Sequence, residues 1–216
     1  MYHLCYYFSS ESAWDNDRRK VINFKKGDEF AIRRFIADAI NLLLKQEMDK
    51  ELIIIRALNS KEIVPEINGG QSLDRLGQSL AATFGCHFVP TILVKRHLTR
   101  PVKSLTLTKR QIELADVYQV SQHSINLNNR KVLIIDDIVT TGLTVSAIIK
   151  AILTAFPGAK VSVFALAWTP TKNQQAYLLQ MKNKTMHFNE PELPYGNPGI
   201  IKDLDFEKGL TNVSLF

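Results

Sequence analysis

The segment KVLIIDDIVTTGLTVSAIIKAI, residues 131–152, decides the fold of this chain. It opens with a short apolar run, reaches the adjacent carboxylates Asp136 and Asp137, and passes through a threonine-rich turn into a helical pattern. A short apolar run bounded by polar residues predicts a buried strand, and apolar residues at helical spacing predict a helix. The segment therefore predicts a strand, a turn and a helix, with two acids at the carboxyl end of the strand.

The same alternation of strands and helices continues on both sides of this segment. Residues 28–46 predict a helix capped by Asp28, and residues 71–84 predict another that ends at Gly85. Further strands are predicted in ELIIIRAL (51–58), HFVPTILVKR (87–96), VYQV (117–120) and KVSVFALAW (160–168). Such alternation predicts an α/β fold with a mostly parallel sheet flanked by helices, and ligands bind at the carboxyl ends of its strands.

Length and composition favour one globular domain over residues 1–216, because the chain is 45% hydrophobic and 22% charged. We expect its core at about 28–170 and a C-terminal extension of unknown role at 171–216. The net charge of +6 favours anionic partners, either small phosphorylated ligands or nucleic acid. A solvated basic surface without a partner explains this charge equally well.

The two cysteines, Cys5 and Cys86, lie far apart and near no histidine pair, which argues against a disulfide framework and a zinc site. The N-terminus has no signal-peptide pattern, and no apolar stretch is long enough to span a membrane. We therefore expect a cytoplasmic protein with reduced thiols and no membrane partner.

The turn after the acids has the composition of a phosphate-binding cradle. It comprises Thr140, Thr141, Gly142, Leu143 and Thr144, and it leads into a helix N-terminus. Backbone N–H groups and the helix dipole attract anions there, threonine hydroxyls add donors, and glycine permits a conformation that a Cβ would resist. These features predict a site for a phosphate monoester.

The acidic pair before this turn predicts a second part of the same ligand. Carboxylates would repel a phosphate placed directly on them, but they accept hydrogen bonds from hydroxyl groups. Asp136 and Asp137 therefore suit the two vicinal hydroxyls of a ribose whose phosphate lies at the turn. An apolar strand that merely ends in a polar turn would explain the strand but gives no reason for two acids. Trp168 ends the last strand, where core packing is a simpler interpretation than contact with a base.

The stretch VLIIDDIVTTGLT resembles the phosphoribosyl pyrophosphate (PRPP) motif of the type I phosphoribosyltransferases at every defined position. Leu143 fills the variable position, where a smaller residue is commoner in the family. The resemblance implies the phosphoribosyltransferase fold with a small variable hood. It also implies transfer of phosphoribosyl from PRPP to a nitrogen nucleophile, with Mg²⁺ held through substrate and water. Asp136 and Asp137 would then be catalytic.

A looser resemblance, over about 52–168, is to the phosphoribosyltransferase domain of the ComF group of predicted amidophosphoribosyltransferases. It is carried by IIIRALNSKEIVPEINGGQSLDRLGQSLA and ILVKRHLTRPVKSLTLTKRQIELADVYQV. The chain lacks the four-cysteine zinc ribbon of many members. It also carries Gly69-Gly70-Gln71-Ser72 in place of a Gly-Phe-Asn-Gln signature, which places the role of the Phe and Asn in doubt.

The resemblance implies two further parts of the site. One is a pyrophosphate-binding loop after the first core strand, formed by Leu58, Asn59, Ser60 and Lys61, for which a plain surface loop is the alternative. The other is a mobile catalytic loop within 91–110, which has six basic residues and no acidic one. Its expected catalytic cations are Arg96, Arg100 and Lys103. Like charges so close together favour an anionic ligand, with a nucleic-acid contact or a solvated face as alternatives.

The sequence thus predicts a phosphoribosyltransferase of the pentosyltransferase class whose partners are PRPP and a small nitrogen-containing acceptor. A homodimer is compatible with this interpretation. The alternative is a non-catalytic protein, either a sensor of PRPP or nucleotides or a DNA-uptake accessory of the ComF kind. Nucleic acid is a partner only in that alternative.

Overall fold

The computed structural model describes residues 1–7, 15–46, 48, 50–65, 71–98, 109, 114, 116–121, 125–170, 174 and 199–200. Most of the expected extension at 171–216 lies outside these residues. The described strands are β1 (Tyr2–Tyr6), β2 (Ile53–Arg56), β3 (His87–Phe88), β4 (Leu93–Lys95), β5 (Tyr118–Val120), β6 (Lys131–Val139), β7 (Lys160–Trp168) and β8 (Gly199–Ile200). The described helices are α1 (Asp15–Lys25), α2 (Glu29–Leu43), α3 (Ser72–Phe84) and α4 (Leu143–Ala155), with 3₁₀ turns at Leu44–Gln46 and Pro90–Ile92.

The main sheet has the strand order β3-β2-β6-β7-β1-β8. All neighbouring strands are parallel except β1 and β8, which are antiparallel. The central strand β6 pairs with β2 on one side and with β7 on the other. The predicted mostly parallel sheet is therefore confirmed, and its most apolar strand lies inside it.

The predicted helices form with their predicted ends. The side chain of Asp28 caps α2 by accepting a 2.8 Å hydrogen bond from the Ala31 N–H. Helix α3 ends at Gly85, whose φ of 66° is the left-handed conformation that glycine adopts without strain. The pattern 28–46 thus becomes α2 followed by the first 3₁₀ turn.

Helices cover the sheet on both faces, and two apolar clusters result. Helix α4 packs on one face through Val145, Ile148, Ile149 and Ile152. Helices α1, α2 and α3 pack on the other face, where Phe24 and Phe35 meet edge to face at 5.6 Å. Because both faces are covered, the strands are apolar without alternation.

Three features differ from the sequence expectation. The predicted strand 87–96 is broken by Pro90, which lacks an N–H for strand pairing and begins a 3₁₀ turn. The expected strand 117–120 does not join the main sheet, because β5 pairs antiparallel with β4 in a separate two-stranded sheet. The sheet also includes β1, which precedes the expected core start at about 28 and pairs with β7.

The topology creates a crevice between β2 and β6. The chain leaves β2 through α3 toward β3, whereas it leaves β6 through α4 toward β7 on the opposite face. Neighbouring parallel strands whose connections diverge in this way open a crevice at their carboxyl ends. That crevice is where the expected functional residues converge. No helix of the described residues is long and apolar enough to cross a membrane.

The packing of α3 on β3 depends on a residue without a side chain. A Cβ at Gly77 would lie 2.3 Å from the Phe88 ring, well inside van der Waals contact. We expect Gly77→Ala to lower the free energy of unfolding by roughly 1–3 kcal/mol, although alanine favours a helix by about 1 kcal/mol. Urea unfolding measures the change. In a Phe88→Ala background the same substitution should become neutral or stabilising, and an unchanged loss there would contradict the contact.

Candidate active site

The register between β2 and β6 brings the two halves of the site together. Arg56 pairs with Ile135, and the N–H of Ala57 donates to the Ile135 carbonyl at 2.9 Å. The loop after β2 therefore begins beside Asp136, the next residue of β6. The expected pyrophosphate loop and the acidic pair thus lie at the same edge of the sheet, although they are far apart in sequence.

The turn after β6 has the geometry that its glycine predicts. Gly142 is buried and has a φ of 75°, and it immediately precedes the first residue of α4. Its carbonyl accepts the Ser146 N–H at 2.8 Å, which starts the helix. Thr140 and Thr141 are exposed. Leu143 and Thr144 are half-buried, so the turn presents its hydroxyls next to a helix N-terminus.

Asp136 is an acid in an apolar setting. It is buried at the end of β6, and one of its oxygens accepts the Asp137 N–H at 2.8 Å. Burial, with the neighbouring Asp137 charge second, raises the pKa of Asp136 to about 8, against smaller opposing effects of that hydrogen bond and Lys25. Asp136 therefore binds a proton at neutral pH in the free protein.

Asp137 has a different neighbour from Asp136. Its carboxylate is 23% exposed and forms a 2.6 Å ion pair with Lys25 at the end of α1. Successive strand residues point to opposite faces, so adjacent acids meet different elements. Asp136 in turn lies close enough to Tyr118 to help raise the pKa of that phenol, after burial as the larger cause. Sequence reasoning missed Lys25, because no local pattern links α1 to β6.

The loop after β2 is built on a buried ionic cluster. Arg56 is fully buried, and its guanidinium donates to both Glu62 oxygens at 2.8 and 2.9 Å and to Asp74 on α3. Gln71 adds a 2.7 Å hydrogen bond to Glu62. Burial opposes the charge of Glu62, but the Arg56 contacts dominate together with the other hydrogen bonds and lower its pKa. Sequence reasoning missed this cluster, although an arginine inside an apolar strand was a signal for it.

The backbone donors of the expected pyrophosphate loop are partly used within the protein. The Asn59 N–H donates to Glu62 at 2.8 Å, and the Lys61 N–H donates to the Asn59 side chain at 2.8 Å. The expectation of exposed N–H groups along this loop is therefore corrected for these two positions. Leu58 is buried, whereas Lys61 is exposed. No hydrogen bond links the Ser60 N–H to another residue of the described ranges.

The first residues of the segment that was expected to be mobile lie in regular structure. Residues 91–95 belong to the 3₁₀ turn and β4, and Lys95 is buried. Arg96 has an exposed side chain, and its N–H donates to the Val117 carbonyl at 2.9 Å. Arg100 and Lys103 lie outside the described residues. Of the three predicted catalytic cations, Arg96 alone is therefore placed by the described ranges, at the end of β4.

An aromatic cluster lies at the ends of β1 and β7. Tyr6 pairs with Trp168, which in turn pairs with Val139 at the end of β6. The rings of Tyr6 and Trp168 are 5.9 Å apart, and His3 lies 5.1 Å from Tyr6 and 5.6 Å from Trp168. Burial lowers the pKa of His3 to about 4, so this ring is neutral at physiological pH. The phosphate turn thus begins beside two half-buried aromatic side chains.

Residues 75–195, more than half of the chain, match the sequence profile of the phosphoribosyl transferase domain. The chain belongs to this family. The match begins within α3 and includes β6, the acidic pair and the whole turn 140–144. The reaction of this family is phosphoribosyl transfer, a pentosyltransferase reaction, and the match leaves the acceptor open.

Several solved phosphoribosyltransferases are similar to this chain at low sequence identity. Adenine phosphoribosyltransferase from Saccharomyces cerevisiae is 16% identical over 76% of this chain and 77% of that chain, with a TM-score of 0.40. Hypoxanthine phosphoribosyltransferase from Staphylococcus aureus is 15% identical over 76% of this chain and 84% of that one, with a TM-score of 0.38. No curated protein matches the chain. The expected phosphoribosyltransferase fold is confirmed, with its mostly parallel sheet flanked by helices.

The buried acid of this phosphoribosyltransferase predicts a pH-dependent stability. Because the folded-state pKa of Asp136 is about 8, above its ordinary 3.8, the folded state binds the extra proton between these values. Stability from this group is therefore lost as pH rises from about 4 to 8. We expect Asp136→Asn to raise the melting temperature, with a gain that is small at pH 5 and grows toward pH 8. The exposed acid variant Glu51→Gln is the control. A gain that does not change with pH would contradict the buried protonated acid.

Proposed function

We propose that this phosphoribosyltransferase transfers the phosphoribosyl group of PRPP to a nitrogen nucleophile. The nitrogen lone pair forms a bond to the anomeric carbon, the bond from that carbon to pyrophosphate breaks, and pyrophosphate leaves with the electron pair. The nitrogen then loses its proton to solvent. The observation that carries this proposal is the convergence of the turn 140–144, the acidic pair and the loop 57–61 on one crevice.

The turn 140–144 is the proposed 5′-phosphate site. Its threonine hydroxyls, the glycine conformation and the N-terminus of α4 suit a dianion. Holding the phosphate fixes the anomeric carbon relative to the crevice, because a remote group of the substrate then limits its motion. Leu143 is half-buried and would border the phosphate.

The acidic pair is the proposed ribose site. Asp137 becomes accessible to a ribose hydroxyl once Lys25 moves aside. Asp136 is buried at the edge of the core, and its side chain points to the opposite face of the strand. Loss of pyrophosphate gives the ribose positive charge. A carboxylate beside that charge stabilises the transition state more than the ground state. The developing charge would also favour the ionised form of Asp136, whose carboxyl group is otherwise protonated below its pKa of about 8.

The pyrophosphate would be held between two basic segments. The loop 57–61 offers the Ser60 N–H and the exposed Lys61 side chain. Arg96 follows β4, and Arg100 and Lys103 are the proposed cations further along the chain. Charge-assisted hydrogen bonds from such groups to phosphate oxygens are among the stronger ones.

The family also implies Mg²⁺. The described residues contain no group of three His, Cys, Asp or Glu side chains that could hold a metal ion. The accessible Asp137 carboxylate is a hard oxygen donor of the kind that Mg²⁺ prefers alongside water and phosphate oxygens. The residues thus fit an ion bound mainly through substrate and water, which would neutralise charge on the leaving pyrophosphate.

The aromatic cluster favours a planar acceptor. Tyr6 and Trp168 stand at the strand ends beside the phosphate turn, and both are half-buried. Stacking on such rings suits a flat nitrogen heterocycle better than an aliphatic amine. We therefore propose an aromatic nitrogen base as the acceptor.

We also propose that residues 1–216 act as one domain and that the chain resembles the ComF group more than the purine enzymes. The supporting observation is the order of β2, its loop, α3 and the basic segment after β4. Homodimer formation and a cytoplasmic location remain part of this proposal.

A non-catalytic role as a PRPP or nucleotide sensor is the second candidate function. It is favoured by the internal contacts of the site, since Lys25 binds Asp137 and Glu62 binds the Asn59 N–H. Such a protein would bind PRPP but would not release pyrophosphate.

The proposed reaction is tested by pyrophosphate release from PRPP across a panel of nucleobases and amines. We expect release with at least one heterocyclic base. Asp137→Asn should weaken PRPP binding by about 1–3 kcal/mol because it replaces a charged acceptor for a ribose hydroxyl with a neutral, weaker one. Binding of inorganic phosphate should stay unchanged in the same variant. PRPP binding without turnover for any acceptor would support the sensor instead. Equal PRPP affinity in Asp137→Asn would contradict the ribose site, whatever the turnover.

The acceptor platform is tested at Trp168. We expect Trp168→Ala to raise the KM for the acceptor by an amount equivalent to roughly 1–3 kcal/mol, the range for loss of a stacked base. The affinity for ribose 5-phosphate should be unchanged. Trp168→Phe keeps an aromatic face and is the matched control, so it should retain most of the acceptor affinity. Equal effects of the two substitutions would show that Trp168 serves packing alone.

A further inference from the structure

We propose that Lys95 is a positioning residue for the pyrophosphate loop. It orients the peptide between Asn59 and Ser60 so that the Ser60 N–H faces the pyrophosphate. This inference rests on the proposed function, and it assigns a role in that site to a buried lysine of β4.

Strand β4 holds the loop through two contacts made by one residue. The Lys95 ammonium donates to the Asn59 carbonyl at 2.6 Å, which is shorter than the 3.2 Å hydrogen bond that this carbonyl also accepts from the Glu62 N–H. The Lys95 N–H donates to the Ile63 carbonyl at 2.7 Å. The side chain is 3% exposed, and its nitrogen lies 5.4 Å from the centre of the Tyr118 ring. A buried charge of this kind is costly to desolvate, so its retention at this point calls for a specific role.

The hydrogen bond to the Asn59 carbonyl fixes the direction of the Ser60 N–H, because both groups belong to the same peptide. A trans peptide is planar, and its C=O and N–H point in opposite directions. Because the Asn59 carbonyl points at Lys95, the Ser60 N–H points away from β4. The preceding peptide obeys the same rule, with the Leu58 carbonyl toward the Tyr118 hydroxyl at 3.5 Å and the Asn59 N–H toward Glu62. Ser60 is thus the loop position whose donor is turned outward.

Several charged and titratable groups surround Lys95. Those that face it directly are Glu62 of the loop and Tyr118 of β5. Glu62 in turn binds Arg56, which also binds Asp74, and Tyr118 lies near Asp136. Burial lowers the pKa of Lys95 to about 8, and Glu62 opposes this change. The ammonium form that holds the Asn59 carbonyl is therefore lost as pH rises through about 8. The orientation of Ser60 should weaken over the same interval.

The first experiment compares pyrophosphate binding by the full chain and by Lys95→Met. We expect affinity to fall roughly tenfold at pH 7, the loss typical of a hydrogen bond from a charged group. The ratio of the two affinities should approach one above pH 9, because wild-type Lys95 is then neutral. Taking the ratio cancels titration of pyrophosphate and of Asp136, which affects both proteins. Affinity for ribose 5-phosphate should be the same in both. Lys45→Met, at an exposed lysine after α2, is the charge-matched control.

A second pair of variants tests the donor without altering Lys95. Ser60→Pro removes the N–H, whereas Ser60→Ala keeps it and removes only the hydroxyl. We expect the proline variant to lose pyrophosphate affinity and the alanine variant to retain it. Amide hydrogen exchange at Ser60 should also change in Lys95→Met without any ligand.

The outcomes separate this inference from the proposed function. If the wild-type chain binds pyrophosphate and Lys95→Met binds it equally well at pH 7, the positioning role is overturned and the proposed function stands. Equal affinities of the Ser60→Pro and Ser60→Ala variants would overturn the assignment of the donor. If the wild-type chain binds neither PRPP nor pyrophosphate, the proposed function has failed and this inference fails with it.

Discussion

The buried Arg56 guanidinium is the interaction on which the architecture of the crevice depends. The free energy of burying an unpaired charge inside an apolar sheet is high. Arg56 is therefore paired with both Glu62 from the loop and Asp74 from α3. One side chain thereby joins β2, the loop and the helix that leads to β3. Glu62 then orders the loop backbone through the Asn59 N–H. Because Arg56 of β2 pairs with Ile135 of β6, the loop after β2 begins next to the acidic pair of β6.

The site lies where the apolar part of β6 ends, and the first of its two acids is therefore still buried. Asp136 continues the buried run of β6, so it is desolvated in the free protein. A group that destabilises the fold when ionised is retained where function needs charge, as expected when activity and stability compete. The same competition applies to Lys95, a buried ionisable group that contacts the loop after β2.

The sequence predicted the parts of the molecule whose causes are local. The cap at Asp28, the stop at Gly85 and the strand–turn–helix around Gly142 each follow from a few neighbouring residues. It did not predict contacts that depend on the pairing of distant segments. Strand β1 was missed because its residues are buried on both faces, which leaves no alternating pattern to recognise. Lys25 was not singled out, and Lys95 was one of the six basic residues of the expected mobile loop 91–110. Only the fold places Lys25 on Asp137 and Lys95 on the Asn59 carbonyl.

The ion pair between Lys25 and Asp137 affects the affinity of any ligand that uses the Asp137 carboxylate. Because Asp137 already has a counter-ion, a ligand that uses this acid exchanges one partner for another. Measured affinity is then the difference between two interactions, and it should respond weakly to added salt at this position. The displaced lysine is the last residue of α1, so the exchange removes one of the contacts at the end of this helix. Occupancy of the ribose site would thus alter the contacts of α1 with the rest of the protein.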